Sequence, residues 1–222
     1  MGNILLPHGN YHELESYRNS VIIYDATSDF CARFLHRGDR TIDQMIQASR
    51  SGKQNIVEGS MASGTSTETE LKLIGVARAS FEELLEDYHD YLRIHSLSLW
   101  EKSDERVLAI RQFSRRKNKS YETYKSYFGL DQNDAESFCN VLISLIHQTN
   151  YLLDRQLKSL EGTFQQKGGF RERMHSARLN TKTAEREQAL SLLRELYRDI
   201  SELNQPELLQ KVEKIAAILK NS

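Results

Sequence analysis

Proline and glycine are scarce in this chain. Its two prolines, Pro7 and Pro206, stand near the ends, and 11 glycines are spread over 222 residues. A proline inside a helix costs about 3 kcal/mol, and folds of many short strands need both residues for their turns. Their scarcity excludes a strand-rich fold and points to long uninterrupted helices. Cysteine is scarcer still. Cys31 and Cys139 are too few for a disulfide framework and fit a reducing cytoplasm. Long apolar runs are lacking too: mean hydropathy is -0.60, and no stretch approaches the roughly 20 residues of a membrane-spanning helix. Met1 to Pro7 has neither a basic segment nor a long apolar stretch, so no secretory signal and no membrane partner are expected, and the expected location is cytoplasmic. An excess of one charge is missing as well. The 30 Lys and Arg against 31 Asp and Glu leave a net charge of -1, so bulk charge implies no nucleic-acid partner.

Amphipathic periodicity is abundant. Leu14, Tyr17, Val21, Tyr24, Ser28 and Cys31 recur at three- and four-residue steps, predicting one face of a helix over about 13–35. A second helix is expected over about 41–60, with Ile42, Met45, Ile46, Ser49, Ile56 and Val57 inward. Its small-residue middle, Ala48 to Gly52, lets a neighbouring helix come close. A third, over about 67–97, carries two stripes: Ile74, Ala77, Phe81, Leu84, Tyr88, Tyr91 and His95, and Leu71, Leu85, Leu92 and Leu99. Two stripes imply two helical neighbours. Residues 104–117 fit a short helix, and residues 118–130, rich in tyrosine and polar groups, read as inserted. A fourth long helix over about 133–160 again has two stripes, one through Phe138, Leu142, Leu145, Thr149 and Leu152, the other through Cys139, Ile143, Ile146, Leu153, Leu157 and Leu160. From Lys182 a helical hairpin is expected, through Ala189, Leu193, Leu196, Ile200 and Leu203, then Leu208, Val212, Ile215 and Leu219. The predicted fold is all-α: an up-down-up-down four-helix bundle over 11–160, with an insertion at about 101–133, a segment at 161–182 and a terminal hairpin at 183–222.

Two stretches carry a family resemblance. Ile46 to Gly59, ending Asn55-Ile56-Val57-Glu58-Gly59, and Glu70 to Leu84, with Ala79-Ser80, are similar to the paired motifs of the bacterial 23S rRNA-intervening-sequence proteins, a four-helix-bundle family. Ala79 stands where glycine is common in that family. Residues 162–178, with Gly168-Gly169-Phe170 and Arg171 to Met174, resemble the suffix of a longer subfamily, the four helix bundle suffix domain proteins. The resemblance covers roughly residues 14–160. It implies a cytoplasmic bacterial bundle, often a ring-like homopentamer, with no established catalysis. A related branch assists retroelement reverse transcriptases and works with RNA. The insertion, the suffix and the hairpin depart from the short family members, which puts simple transfer of assembly or binding in doubt.

Catalytic and cofactor chemistry finds little support in the sequence. A di-iron bundle needs two Glu-x-x-His pairs, and only Glu86 with His89 is present. Gly59 to Ser66 has the glycine spacing of a phosphate-binding loop, but Thr65 replaces its lysine and a helix, not a strand, precedes it. Cys31 and Cys139 lie on apolar stripes, where a thiol behaves as a small hydrophobe. His95 and His147 continue helical faces, which favours packing. No catalytic residue, metal or cofactor is expected.

Two sets of polar residues remain. Asn55, Glu58, Arg78 and Ser80 interrupt packed helices. They form either a functional site or, the reading favoured here, an interhelical hydrogen-bond and ion-pair network that sets register. Charge is also uneven along the chain. Residues 66–105 hold ten acids and four bases, and residues 106–182 hold fourteen bases and seven acids. One basic run is Arg111, Arg115, Arg116, Lys117 and Lys119, with Phe113, Tyr121 and Tyr124 interleaved. A second is Lys167, Arg171, Arg173, Arg178 and Lys182, near Phe170. Basic groups among aromatics bind phosphates and stack bases; the same residues also fit a solvated surface, or one paired with the acidic helix. The expected function is therefore a non-enzymatic, self-associating assembly or adaptor module. An RNA- or DNA-binding accessory protein using the two basic runs is the alternative.

Overall fold

The computed structural model describes residues 9–167, 170–202 and 205–221, apart from the side chains of residues 167, 170, 171, 173, 220 and 221. All regular elements among them are helical, and the chain divides into two compact units near Phe170. No described helix is long and apolar enough to cross a membrane.

The N-terminal unit is built on four long helices: α1 (Glu15–Phe34), α2 (Arg40–Ala62), α3 (Thr67–Ile94) and, after two short helices α4 (Glu105–Phe113) and α5 (Tyr121–Phe128), α6 (Ala135–Lys167). Local chemistry starts them. Asp39 caps α2 by accepting from the Thr41 amide at 2.9 Å, and Ser66 caps α3 by accepting from the Thr69 amide at 3.1 Å. Ser120 and Thr123 form a reciprocal box at the head of α5, and Gly129, at φ +65°, closes its other end. Each long helix touches two others in a closed ring: α1 on α2, α2 on α3, α3 on α6, and α6 on α1. The core they share runs through Ile23, Phe30, Ile74, Phe81, Tyr88, Phe138 and Leu145.

The α2–α3 contact is the closest. A Cβ built on Gly52 would lie 2.6 Å from Cζ of Phe81, so this glycine is the gap into which the ring inserts. That is the close approach expected of the small-residue middle of α2. The stripes of α3 and α6 lie largely in the core. On α3, Tyr91 is half-buried; the helix ends at Ile94, so His95 and Leu99, expected on its stripes, lie beyond it and are exposed.

The face of α1 differs from the expected one. Of Leu14, Tyr17, Val21, Tyr24, Ser28 and Cys31, only Cys31 is buried. The core face is instead Ser16, Asn19, Ser20, Ile23, Ala26, Thr27 and Phe30. Four of these are small polar residues: Ser20 donates to the Tyr17 carbonyl at 2.6 Å and Thr27 accepts from the Tyr88 hydroxyl at 3.0 Å, while Asn19 Oδ1 is buried without a hydrogen-bond partner. A search for apolar spacing is blind to such a face.

The segment expected as an insertion is folded into the unit. Residues 118–130 contain helix α5, and Ile110, Phe113, Tyr124 and Leu130 join the main core. Here α4 rests on α6 and α5 rests on α1. The Arg33 guanidinium ties this segment to α1 by donating to the carbonyls of Leu130, Asp131 and Gln132. Helix α6 runs through Gly162 to Lys167, where a separate segment was expected from residue 161.

The C-terminal unit is a pair of contacting helices, α7 (Phe170–Glu202) and α8 (Pro206–Asn221). Here α7 begins well before the expected start at Lys182, and Pro206 takes the first turn of α8, where it needs no amide. Ile200 and Val212 are buried, and the Tyr197 hydroxyl reaches Glu213 Oε1 at 3.4 Å. Leu196, Leu208 and Ile215, expected on the inner stripes, are exposed, and Leu203 lies outside the described residues.

Candidate functional site

The long segment between α3 and α4 has no regular structure, yet side chains of α6 hold it in place. Asn140 accepts from the Trp100 amide at 2.8 Å and donates to the Ser98 carbonyl at 2.8 Å. Glu136 accepts from the Ser98 amide at 2.9 Å and from the Trp100 indole at 3.3 Å. These bonds stand Trp100 beside α6, and a cleft of about 370 Å³ opens between this segment, α4 and α6. Its apolar walls include Trp100, Val107, Ile143 and Tyr151. Its polar groups include Lys102, Arg111, His89 and His147.

The two imidazoles face each other from α3 and α6 with ring centres 6.4 Å apart. Arg111 is anchored by a bond from Nη1 to the Lys102 carbonyl at 3.3 Å. Desolvation and then the nearby His89 hold His147 below its ordinary value; Lys102 and Arg111 act in the same direction and Glu82 opposes them. The cleft therefore sets the cations of Lys102 and Arg111, with two imidazoles, against an aromatic wall. No nucleophile–base–carboxylate arrangement is formed by these lining residues, and among the described residues no three His, Cys, Asp or Glu side chains converge to hold a metal ion. Both thiols are buried, and burial pushes Cys31 up to about 12 and Cys139 higher still.

The four polar residues singled out in the sequence fall into separate groups. Arg78 donates to Glu82 at 2.8 Å and, across to α6, to Asp154 at 3.2 Å; Asn150 donates to the same Glu82 carboxylate at 3.1 Å. Asn55 and Ser80 meet through Ser51, whose hydroxyl lies 3.0 Å from Ser80 Oγ and accepts from Asn55 at 3.2 Å. Both groups join neighbouring helices. Glu58 is exposed and has no place in either.

The first basic run is likewise divided. Lys119 has a side chain only 1% exposed, pairs with Glu15 at 2.7 Å and donates to the Ser114 carbonyl. It is a tie between α1 and the α4–α5 connection, with nothing left for a ligand. Arg111 lines the cleft. Arg115, Arg116 and Lys117 are exposed at the end of α4. The interleaved aromatics are not free platforms, because α4 and α5 turn them inward. Phe113 and Tyr124 are buried, and the Tyr121 hydroxyl donates to Asp29. The exposed ring there is Tyr127, with the Arg116 guanidinium 5.4 Å from its centre. Of the second run, Arg178 and Lys182 are exposed on α7, and the side chains of Lys167, Arg171 and Arg173 lie outside the described residues.

Sequence reasoning missed His89, Trp100 and Lys102 as neighbours. His147, expected to pack along a helical face, is instead exposed on α6 and lines the cleft. Its place in the cleft depends on α4 docking there, which periodicity does not encode. Comparisons with protein-family models, curated proteins and solved structures gave no match to this chain.

Proposed function

We propose that this protein is a non-enzymatic four-helix bundle of up-down-up-down topology that self-associates through its C-terminal helical hairpin and serves as an assembly or adaptor module. The observation behind this reading is the apolar outer side of α7 and α8. Leu192 is 59% exposed, Leu196 46%, Leu208 40% and Ile215 49%, while only Ile200 and Val212 are buried among the described residues of that unit. Two helices alone enclose too little apolar surface for a stable core. A second hairpin offers the matching surface, completing a four-helix contact between chains. The charges on residues 183–222, seven acidic and six basic, are nearly balanced and present no repulsion between copies. Covering these four residues stabilises the assembly by about 3–6 kcal/mol per chain. The resemblance of residues 14–160 to a family that often forms homopentamers supports self-association, and the short connections between α1, α2 and α3 support the up-down topology.

Sedimentation of the full chain at micromolar concentration tests it. A particle of several subunits is expected, dispersed by Leu196→Glu with Ile215→Glu. A strict monomer overturns the reading.

A second reading, an RNA- or DNA-binding accessory protein, is favoured by one observation: Arg115, Arg116 and Lys117 are exposed together beside Tyr127, which is 57% exposed. Salt-dependent binding of a random single-stranded RNA, weakened by Arg115→Glu with Arg116→Glu, supports it. Absence of binding at low salt removes it.

A further inference from the structure

We propose that the cleft between α4 and α6 is a binding site for a small organic anion, a phosphate or similar group carried on an aromatic or alkyl body. Three observations converge on it. The lining holds four basic side chains, Lys102, Arg111, His89 and His147, and no carboxylate. Two carboxylates near the cleft are already engaged: Glu136 accepts from Ser98 and Trp100, and Glu82 accepts from Arg78 and Asn150. Lys102 and Arg111 thus share the cleft without a counter-ion from the lining. Gathering like charges in a partly apolar recess is unfavourable unless an anion joins them.

The rest of the lining joins an apolar and aromatic wall to the neutral polar groups of Asn140, Ser144 and Gln148. Trp100 is fixed by two side chains of α6 and braced by the Arg106 guanidinium 3.7 Å from its ring, and Tyr151 stands at the edge, 62% exposed. Such a wall accepts a flat or aliphatic body and excludes water from it. The volume of about 370 Å³ suits a ligand of one or two rings; a folded partner or a nucleic-acid strand would not fit. Arg111, held against the Lys102 carbonyl, presents its remaining N–H groups in the fork that oxyanions prefer. This site lies wholly within the N-terminal unit and does not depend on the hairpin.

The chain supplies its own reporter, since Trp100 is the only tryptophan. The full-length protein is titrated with phenyl phosphate, inorganic phosphate and neutral benzyl alcohol while tryptophan emission is followed. A saturable change with phenyl phosphate is expected below about 10 mM, at least fivefold tighter than with either fragment alone. Arg111→Gln and Lys102→Gln are each expected to weaken it about tenfold, the size of one charge-assisted hydrogen bond. Lys102 is exposed, so its variant keeps the fold, which far-ultraviolet circular dichroism verifies. No saturable change, equal response to benzyl alcohol or to inorganic phosphate, or an affinity indifferent to Lys102→Gln overturns the proposal.

Discussion

Replacing Gly52 by alanine should destabilise this protein although alanine is the better helix former. In an exposed helix interior the exchange stabilises by about 0.8–1 kcal/mol. At Gly52 the new Cβ meets Cζ, Cε2 and Cε1 of Phe81 at 2.6, 2.7 and 2.8 Å. All three are at the tip of one ring, so the ring points straight at the new methyl group and sideways rotation gives no relief. Phe81 is fully buried, so the ring has no solvent to retreat into. Either α2 and α3 separate or the ring leaves its rotamer, and overpacking of this kind costs about 1–3 kcal/mol. With three contacts below 3.0 Å the upper end applies, which leaves about 2 kcal/mol of net loss. Gly75 on α3 is the internal control, because nothing lies within 4 Å of its Cβ position. Gly75→Ala should gain about 1 kcal/mol. Urea unfolding followed by Trp100 emission reads the N-terminal unit directly. In thermal melts the two variants should move in opposite directions, by about 4–8 °C down and about 2–4 °C up. Phe81→Leu should restore part of the loss in the Gly52→Ala background. A neutral or stabilising Gly52→Ala beside a stabilising Gly75→Ala would refute the packing argument.

Three further outcomes follow from named contacts. Tyr88→Phe removes the donor to Thr27, both residues being fully buried, and should cost about 1–2 kcal/mol by urea unfolding. Burial lifts the Glu70 carboxyl to about 7 from an ordinary 4.5, against a hydrogen bond with Gln156. The folded chain there keeps a proton that the unfolded chain releases, so this residue's contribution to stability falls as pH rises through that interval. Glu70→Gln should therefore raise the melting temperature at about pH 8 and leave it unchanged at about pH 4. Lys119→Met should lower stability by about 1–2 kcal/mol through the lost tie to Glu15 and the Ser114 carbonyl, the partly exposed carboxylate softening the loss. It should leave affinity for single-stranded RNA unchanged in a polarisation assay.

Helices α2, α3 and α6 were legible because their apolar residues repeat at helical spacing and their caps stand at the right places. The small-residue middle of α2 even foretold the seat of Phe81. The face of α1 was not legible, since it buries the polar residues Ser16, Asn19, Ser20 and Thr27, which a search for apolar spacing passes over. For the inserted segment, composition misled. Its tyrosines and polar residues read as an insertion, but Tyr124 and the stem of Lys119 are buried; the Lys119 ammonium pairs with Glu15 of α1, and the Tyr124 hydroxyl is buried without a hydrogen-bond partner. The cleft escaped notice for the same reason: its basic groups come from three separate stretches, each unremarkable alone. The outward leucines of the hairpin show the converse error, because regular spacing marks an amphipathic face without saying what lies against it.

The clamp from Arg33 onto residues 130–132 bears on how the chain is made. Its acceptors, and the α6 face against which α1 rests, are translated about a hundred residues after the guanidinium itself. At a synthesis rate of about 5–20 residues per second, the first helix waits on the order of 5–20 seconds for its last neighbour. During that interval Ile23 and Phe30 have only α2 and α3 to shelter them. The nascent chain is then a three-helix intermediate with one open seam, and chaperone capture or premature pairing between nascent chains should concentrate there.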